Sequence, residues 1–328
     1  MSKKDKSVRV KLIANPGAGD VLKSASNLEE VTTYLVQAGL DVDVALAKPK
    51  KEAVPIARRA ADEGFDVIIA MGGDGTIGAV IRGMAGSKSR LGIIPAGHSN
   101  DLAASLGIPL DLKQACDLIA SGHTRKVDLG VINTKERKDF YFNQVAAVGL
   151  TATLYPQVSK VPNGRYLDLI EAVKTVFNFK SKPIVKLTLD DESKVEVETM
   201  LVTIVNTPVT GIRNLVAPEA SMEDGLLDIA VYPGFTKAEL INYFVRTLNE
   251  NDVPDGRIQR YRARKIKIKT IPDLDISGEG IIVGRGKAVI EVKPKALRII
   301  APEVGTGAEK PQAEIAKELP EPVSPVNQ

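Results

Sequence analysis

The chain has 328 residues, of which 44% are hydrophobic and 26% charged, with a formal net charge of +3. That length can carry two domains with packed cores, and with so small a net charge the global charge does not point to nucleic acid. The single cysteine, Cys116, excludes an internal disulfide framework and fits a reducing compartment. The N-terminal stretch MSKKDKSVRVKLIANP has no apolar core of signal-peptide length. No uncharged apolar run approaches the roughly 20 residues that span a bilayer. The sequence predicts a soluble, cytoplasmic protein.

In chain order, residues 8–14 predict a first strand, followed by a phosphate-sized turn, Asn15-Pro16-Gly17-Ala18-Gly19. Residues 22–38 predict an amphipathic helix carrying Leu28, Val31 and Leu35. Residues 40–46 follow as a second strand, 52–63 as a helix and 65–71 as a third strand. That strand runs into Gly72-Gly73-Asp74-Gly75-Thr76, after which Ile77, Val80, Ile81 and Met84 share one helical face. Glycine lets another group approach the backbone, and a helix N-terminus favours phosphate. An acid in that place repels phosphate unless a cation stands between them. The pentapeptide therefore reads as a nucleotide site that works through magnesium. The competing reading is a tight strand-to-helix turn capped by Asp74 or Thr76. Residues 91–94 predict a fourth strand ending at Pro95-Ala96-Gly97. Alternation of strands and helices over about 125 residues argues for a parallel, doubly wound sheet. Ligands bind such sheets beyond the carboxyl ends of the strands, where all three glycine-bearing turns fall.

The pattern changes after Asp128. Short alternating segments such as FYFNQVAAVG, IVKLTLDD, KVEVETMLVTIVNT and KIKIKTI predict an antiparallel, β-rich second domain. Helical patterns at 166–179 and 237–248 interrupt it. The tail from Glu303, rich in Pro, Glu and Ala, reads as disordered. The divisions expected are 1–129 for an α/β domain, 130–302 for a β-rich domain and 303–328 for the tail.

Six motifs occur together: NPGAG, GGDGT, GIIPAGHSNDLAASLGIP, SGHTRKVDLG, ASMEDGLLDI and SGEG, the last at Ser277 to Gly280. Their combination resembles the diacylglycerol kinase catalytic family, within it the bacterial and archaeal soluble lipid kinases related to diacylglycerol and sphingosine kinases. GGDGT alone also occurs in NAD kinases and phosphofructokinases. The resemblance implies a nucleotide domain, a C-terminal β-sandwich, a cleft between them and a last strand that returns to the first domain. It implies contacts to ATP from Asn15, Pro16, Gly17, Ala18, Gly19, Gly72, Gly73, Asp74, Gly75, Thr76, Gly97, His98 and Asn100. Asp74 matches the carboxylate that holds the catalytic Mg2+ through water, in a network with Asp101 and Asp128. Asp224, with the Ser221 and Leu226 carbonyls, matches a second, structural magnesium loop. Glu279 matches the acceptor of the lipid hydroxyl proton. On pattern alone, Asp101 also reads as a helix N-cap, Asp128 as a strand-end turn residue, Asp224-Gly225 as a hairpin turn and Glu279 as an exposed hairpin acid.

The departures from the family pattern lie at nucleotide and base positions. Ser277 stands where the family has Asp before Gly-Glu, with Asp275 two residues earlier; His98 replaces a Thr, Gly78-Ala79 an Asn-Glu, and Ala47 a Thr. The expected activity is transfer of the γ-phosphoryl group of ATP to the hydroxyl of a diacylglycerol-like or sphingoid lipid. An NAD kinase-like enzyme and a non-catalytic nucleotide- or lipid-binding relative are the alternatives. A lipid substrate implies peripheral work at a membrane surface, and the basic stretch RIQRYRARKIKIK, with Lys265, Lys267 and Lys269 on one strand face, could attract anionic lipid. It reads equally as a solvated sheet face. The partners expected are therefore a lipid surface, no nucleic acid, and room for a homodimer.

Overall fold

A computed structural model describes residues 7–16, 21–47, 52–97, 99–150, 183–208, 217–249 and 255–303. Gly17, Ala18, Gly19, His98, the helical pattern at 166–179 and the tail beyond 303 lie outside the described residues. The N-terminal part alternates β1 (Arg9–Ala14), α1 (Val21–Gln37), β2 (Asp41–Leu46), α2 (Ala53–Asp62), β3 (Val67–Gly72), α3 (Asp74–Met84) and β4 (Arg90–Pro95). Two helices follow, α4 (Asp101–Leu106) and α5 (Leu112–Ser121). The strands pair in parallel in the order β2-β1-β3-β4. β3 reads VIIAMG and is buried along its whole length, as a strand covered by helices on both faces must be. Each such Val or Ile contributes about 1.5–3 kcal/mol through burial.

The remainder is antiparallel. β5 (Thr124–Asn133), β6 (Phe140–Phe142), β7 (Val145–Gly149), β8 (Ile184–Leu189), β9 (Ser193–Val205) and β10 (Leu227–Pro233) lead to α6 (Lys237–Asn249). Then come β11 (Gln259–Ala263), β12 (Lys265–Ile271), β13 (Asp275–Gly278), β14 (Ile281–Arg285) and β15 (Lys287–Ile300). β12, KIKIKTI, shows the alternation plainly: Ile266, Ile268 and Thr270 are buried while Lys267, Lys269 and Ile271 face out. The fold is thus a parallel α/β domain followed by an antiparallel β-sandwich.

One strand belongs to both parts. The first half of β15 pairs antiparallel with β12, and its end pairs in parallel with β4 through Arg298 and Ile299. Between them the register against β5 slips between Lys293 and Leu297, and Lys295 takes a positive φ of 53°. His123 fastens the strand's end. Its Nδ1 donates to the Ala301 carbonyl at 2.7 Å and its Nε2 lies 3.3 Å from Glu303. His123, though partly exposed, therefore acts as a clasp on the strand's end.

The glycine turns have a packing reason of their own. A Cβ at Gly97 would overlap the Gly73 backbone, so the turns after β3 and β4 touch main chain to main chain. A Cβ at Gly72 would lie 2.7 Å from Thr76 Oγ1. What comes close to the glycine is, first of all, the neighbouring turn.

Candidate active site

Gly73 is the N-cap of α3, so Asp74 is its first residue and caps nothing in its own helix. Its carboxylate reaches across to α4. Oδ2 accepts the Asp101 N–H at 3.2 Å and Oδ1 the Leu102 N–H at 3.1 Å, which satisfies two donors at that helix start. The N-cap position there is Asn100, in the left-handed region at φ 53°, not Asp101. Asn100 closes its own loop: Oδ1 accepts the Gly97 N–H and Nδ2 donates to the Gly97 carbonyl. Asp101 is buried beside them. Asn15 donates its backbone N–H to the Met71 carbonyl, and Pro16 after it is exposed.

The sandwich supplies the opposite wall. Glu279 sits in the turn between β13 and β14 with φ 51°, its N–H on the Val145 carbonyl. Its Oε1 accepts two backbone donors, Asn143 at 2.8 Å and Gln144 at 2.7 Å. Among the described residues Oε2 takes no hydrogen bond. The residue is half-buried, yet protein surrounds the carboxyl group. Burial therefore raises its pKa above the ordinary value, helped by the nearby negative charge of Asp74. The two N–H bonds and the Arg82 guanidinium oppose that rise. The hairpin position read from the pattern is right, but the acid is not an exposed one.

Gln144 joins the walls. Its backbone N–H holds Glu279 while its Nε2 donates to Asp74 Oδ1 at 2.9 Å. Asn206, buried, donates through Nδ2 to the carbonyls of both Asn143 and Asp128, and its own N–H bonds the Gln144 carbonyl. Sequence reasoning missed Gln144, Asn143, Asn206 and Arg82. The available signal was two adjacent amides inside the apolar run of FYFNQVAAVG, an amide ending TIVN, and a cation in α3 amid buried neighbours.

The third expected carboxylate is placed elsewhere. Asp128 lies within β5 rather than at a strand end, and is buried. Its Oδ2 accepts the Gly225 N–H and its Oδ1 the Lys295 N–H, each at 2.7 Å, so it ties the 221–226 loop to the irregular turn of β15. In that loop Ser221 Oγ accepts the Glu223 N–H, and Asp224 Oδ1 accepts the Leu226 N–H at 3.0 Å. Arg262 pairs with both Asp224 and Asp228, and Arg125 with Glu223 at 2.8 Å. The loop leads into β10, whose partner β9 lies some twenty residues back, so Asp-Gly here is not the turn of a tight hairpin.

Among the described residues no group of three or more His, Cys, Asp or Glu stands close enough to enclose a metal ion. Asp74 nevertheless fits an ion held through water. An ionised carboxylate offers about four acceptor positions, and three are taken. Magnesium commonly keeps its waters and takes only one or two carboxylates plus substrate phosphates.

A parallel sheet whose glycine turns face two half-buried carboxylates, Asp74 and Glu279, at the edge of an antiparallel β-sandwich defines a two-domain α/β-plus-β architecture. The diacylglycerol kinase catalytic domain model matches residues 9–132, and the YegS C-terminal NAD kinase beta sandwich-like domain model matches 149–301. The diacylglycerol kinase of Bacillus subtilis (strain 168) is 30% identical over 282 residues, 83% of this chain and 89% of that one. That of Mycobacterium tuberculosis (strain ATCC 25618 / H37Rv) is 27% identical over 302 residues, 90% and 96%. Among solved structures, a diacylglycerol kinase from Bacillus anthracis str. Sterne superposes with a TM-score of 0.69 at 24% identity, covering 91% and 98%. Yeast NADH kinase complexed with NADH shares the fold alone, with a TM-score of 0.54 at 11% identity and coverage of 98% and 91%. The chain belongs to the diacylglycerol kinase catalytic-domain family.

Proposed function

We propose that this chain is an ATP-dependent lipid kinase that phosphorylates the hydroxyl of a diacylglycerol-like or sphingoid lipid. The observation that carries this reading is Glu279. Its Oε1 is fixed by two backbone N–H groups, its pKa is raised by burial, and Gln144 links it to Asp74. A carboxylate so placed takes the proton of the lipid hydroxyl on Oε2 as the oxygen attacks the γ-phosphorus and ADP departs. Asp275 does not share that work, because its carboxylate pairs with Arg285 at 2.9 Å. Ser277, buried where the family has an acid, offers no base at neutral pH. Glu279 acts alone.

Asp74, with Asp101 beside it, would hold Mg2+ through water, and the ion would neutralise charge on the phosphates. The turns at Gly72–Gly73 and Gly97 line the nucleotide side. No helix among the described residues is long and apolar enough to cross a membrane; in this reading the enzyme meets its lipid peripherally, at the cytoplasmic surface. Lys265 and Lys267 are paired with Asp191, which leaves Lys269 to do the docking. It stands opposite Lys287 on β15 and Lys186 on β8, beside exposed Ile271 and Ile184.

The deciding experiment incubates the protein with labelled ATP, Mg2+ and, separately, diacylglycerol, sphingosine and NAD. Label in a phospholipid is the expected result. Label in NAD, or in no product, would overturn the reading. Sedimentation with anionic vesicles tests docking: Lys269→Gln with Lys287→Gln should weaken binding at low salt, and unchanged binding removes that face.

A further inference from the structure

Two buried polar atoms beside Glu279 have no hydrogen-bond partner among the described residues. They are Arg82 Nη1, a donor, and Asn143 Oδ1, an acceptor. Both converge on one place. A Cβ built on Gly78 would lie 3.4 Å from each of them. Arg82 is one turn beyond Gly78 on α3, and Asn143 is the residue whose backbone N–H holds Glu279 Oε1. The donor, the acceptor and the candidate base therefore share one corner, opened by the missing side chain at Gly78.

Leaving such groups unpaired is costly, because a buried donor or acceptor without a partner forfeits its hydration for nothing. Arg82 is held there by other means. Its guanidinium lies 5.3 Å from the centre of the Phe140 ring and interacts with the Glu279 charge. As a residue it is only half-buried. Arg137, exposed, flanks the same ring at 4.9 Å.

One chemical group answers both atoms at once. A hydroxyl accepts from Arg82 Nη1 and donates to Asn143 Oδ1; a carbonyl or ester can satisfy only the first. We infer that Arg82 and Asn143, over Gly78, bind a second hydroxyl of the acceptor, next to the one that reacts. The site would then select lipids carrying neighbouring hydroxyls, such as a monoacylglycerol, over those in which that hydroxyl is esterified. This rests on the lipid-kinase reading and names its preferred substrate class.

Gly78→Ala is the test. Gly78 has an ordinary helical backbone, the added methyl makes only normal contacts, and alanine favours the helix. Wild type should prefer 1-monohexanoylglycerol to 1,2-dihexanoylglycerol in kcat/KM by about 10- to 100-fold, the worth of one unpaired buried polar group. Gly78→Ala and Arg82→Met should both erase that ratio. An unchanged ratio in Gly78→Ala, or no preference in wild type, means that the corner holds only a buried water and overturns the proposal. A measurement without turnover separates this from the kinase reading. Monohexanoylglycerol should raise the Tm of wild type and not that of Gly78→Ala. A retained shift with no lipid phosphorylated would remove the kinase reading and leave the hydroxyl site standing, whereas absence of the shift in wild type removes the hydroxyl site.

Discussion

Two groups of carboxylates meet the junction of the domains, and they are treated differently. Around Asp128 most charges are answered: two N–H groups close on its oxygens, Arg262 covers Asp224 and one oxygen of Asp228, and Arg125 covers Glu223. Burial raises the Asp228 pKa, and its Oδ2 has no partner among the described residues. Around Asp74 and Glu279 the answers are incomplete. Like charges face each other, burial raises a carboxyl pKa, and Arg82 and Asn143 keep polar atoms without partners among the described residues. The first group behaves as a joint. The second withholds satisfaction where a substrate can supply it, which is how a site pre-arranged for developing charge differs from a scaffold.

Substitutions can break or sharpen that contrast. The largest effect falls on Asp74→Asn, which should abolish turnover. It should also cost about 1–3 kcal/mol in urea unfolding, because the new NH2 group confronts donors at the start of α4. Unchanged turnover would move Asp74 into the scaffold.

Glu279→Gln comes next, with a loss of about 10²- to 10⁴-fold in kcat and little change in ATP affinity. Its stability should move in the opposite direction. The folded pKa of Glu279 is raised above 4.5, so its protonated form is favoured by folding and its stability contribution is greatest below that pH. That contribution is lost as pH rises through the folded value. Near pH 7 the glutamine variant should therefore be at least as stable as wild type. The acid limb of kcat/KM in wild type should lie above pH 4.5. A variant that keeps full activity, or a limb at or below 4.5, would undo the assignment.

Asp128→Ala should do the converse. Stability falls by about 3–5 kcal/mol, since two charge-assisted bonds vanish inside the protein, while the position of the pH limb stays put. A displaced limb with little destabilisation would place Asp128 in the chemistry after all. The smallest effect belongs to Arg262→Gln. Its partners are partly exposed, so about 1 kcal/mol or less is expected, shrinking further in salt. A larger, salt-independent loss would show that the loop depends on Arg262 more than a screened pair allows.

The parallel sheet was legible because its strands are short apolar runs and its helices carry a clear 3.6-residue period; α5 alone went unread, although Asp111 caps it by accepting the Gln114 N–H. The antiparallel half was legible in KIKIKTI for the same reason, that one face is buried. Glycine positions and the carboxylates Asp74, Asp128 and Glu279 were visible as residue types. Their partners were not. Asp74 answers α4 across 27 residues of sequence, Gln144 across 70, and Asp128 answers Lys295 across 167. Such pairings are fixed by tertiary packing, which local spacing does not encode.

β15 has a consequence for how the chain is made. Until residues 298–299 emerge, β4, with the apolar sequence RLGIIP, has no neighbour on one side, and the α/β domain carries a bare sheet edge. Chains fold from the N-terminus as they are synthesised, and open apolar edges recruit other chains. Some two hundred residues separate β4 from the strand that covers it, so the nascent first domain stays adhesive through most of translation. The segment left bare longest during synthesis is one that ends buried from Leu91 to Pro95.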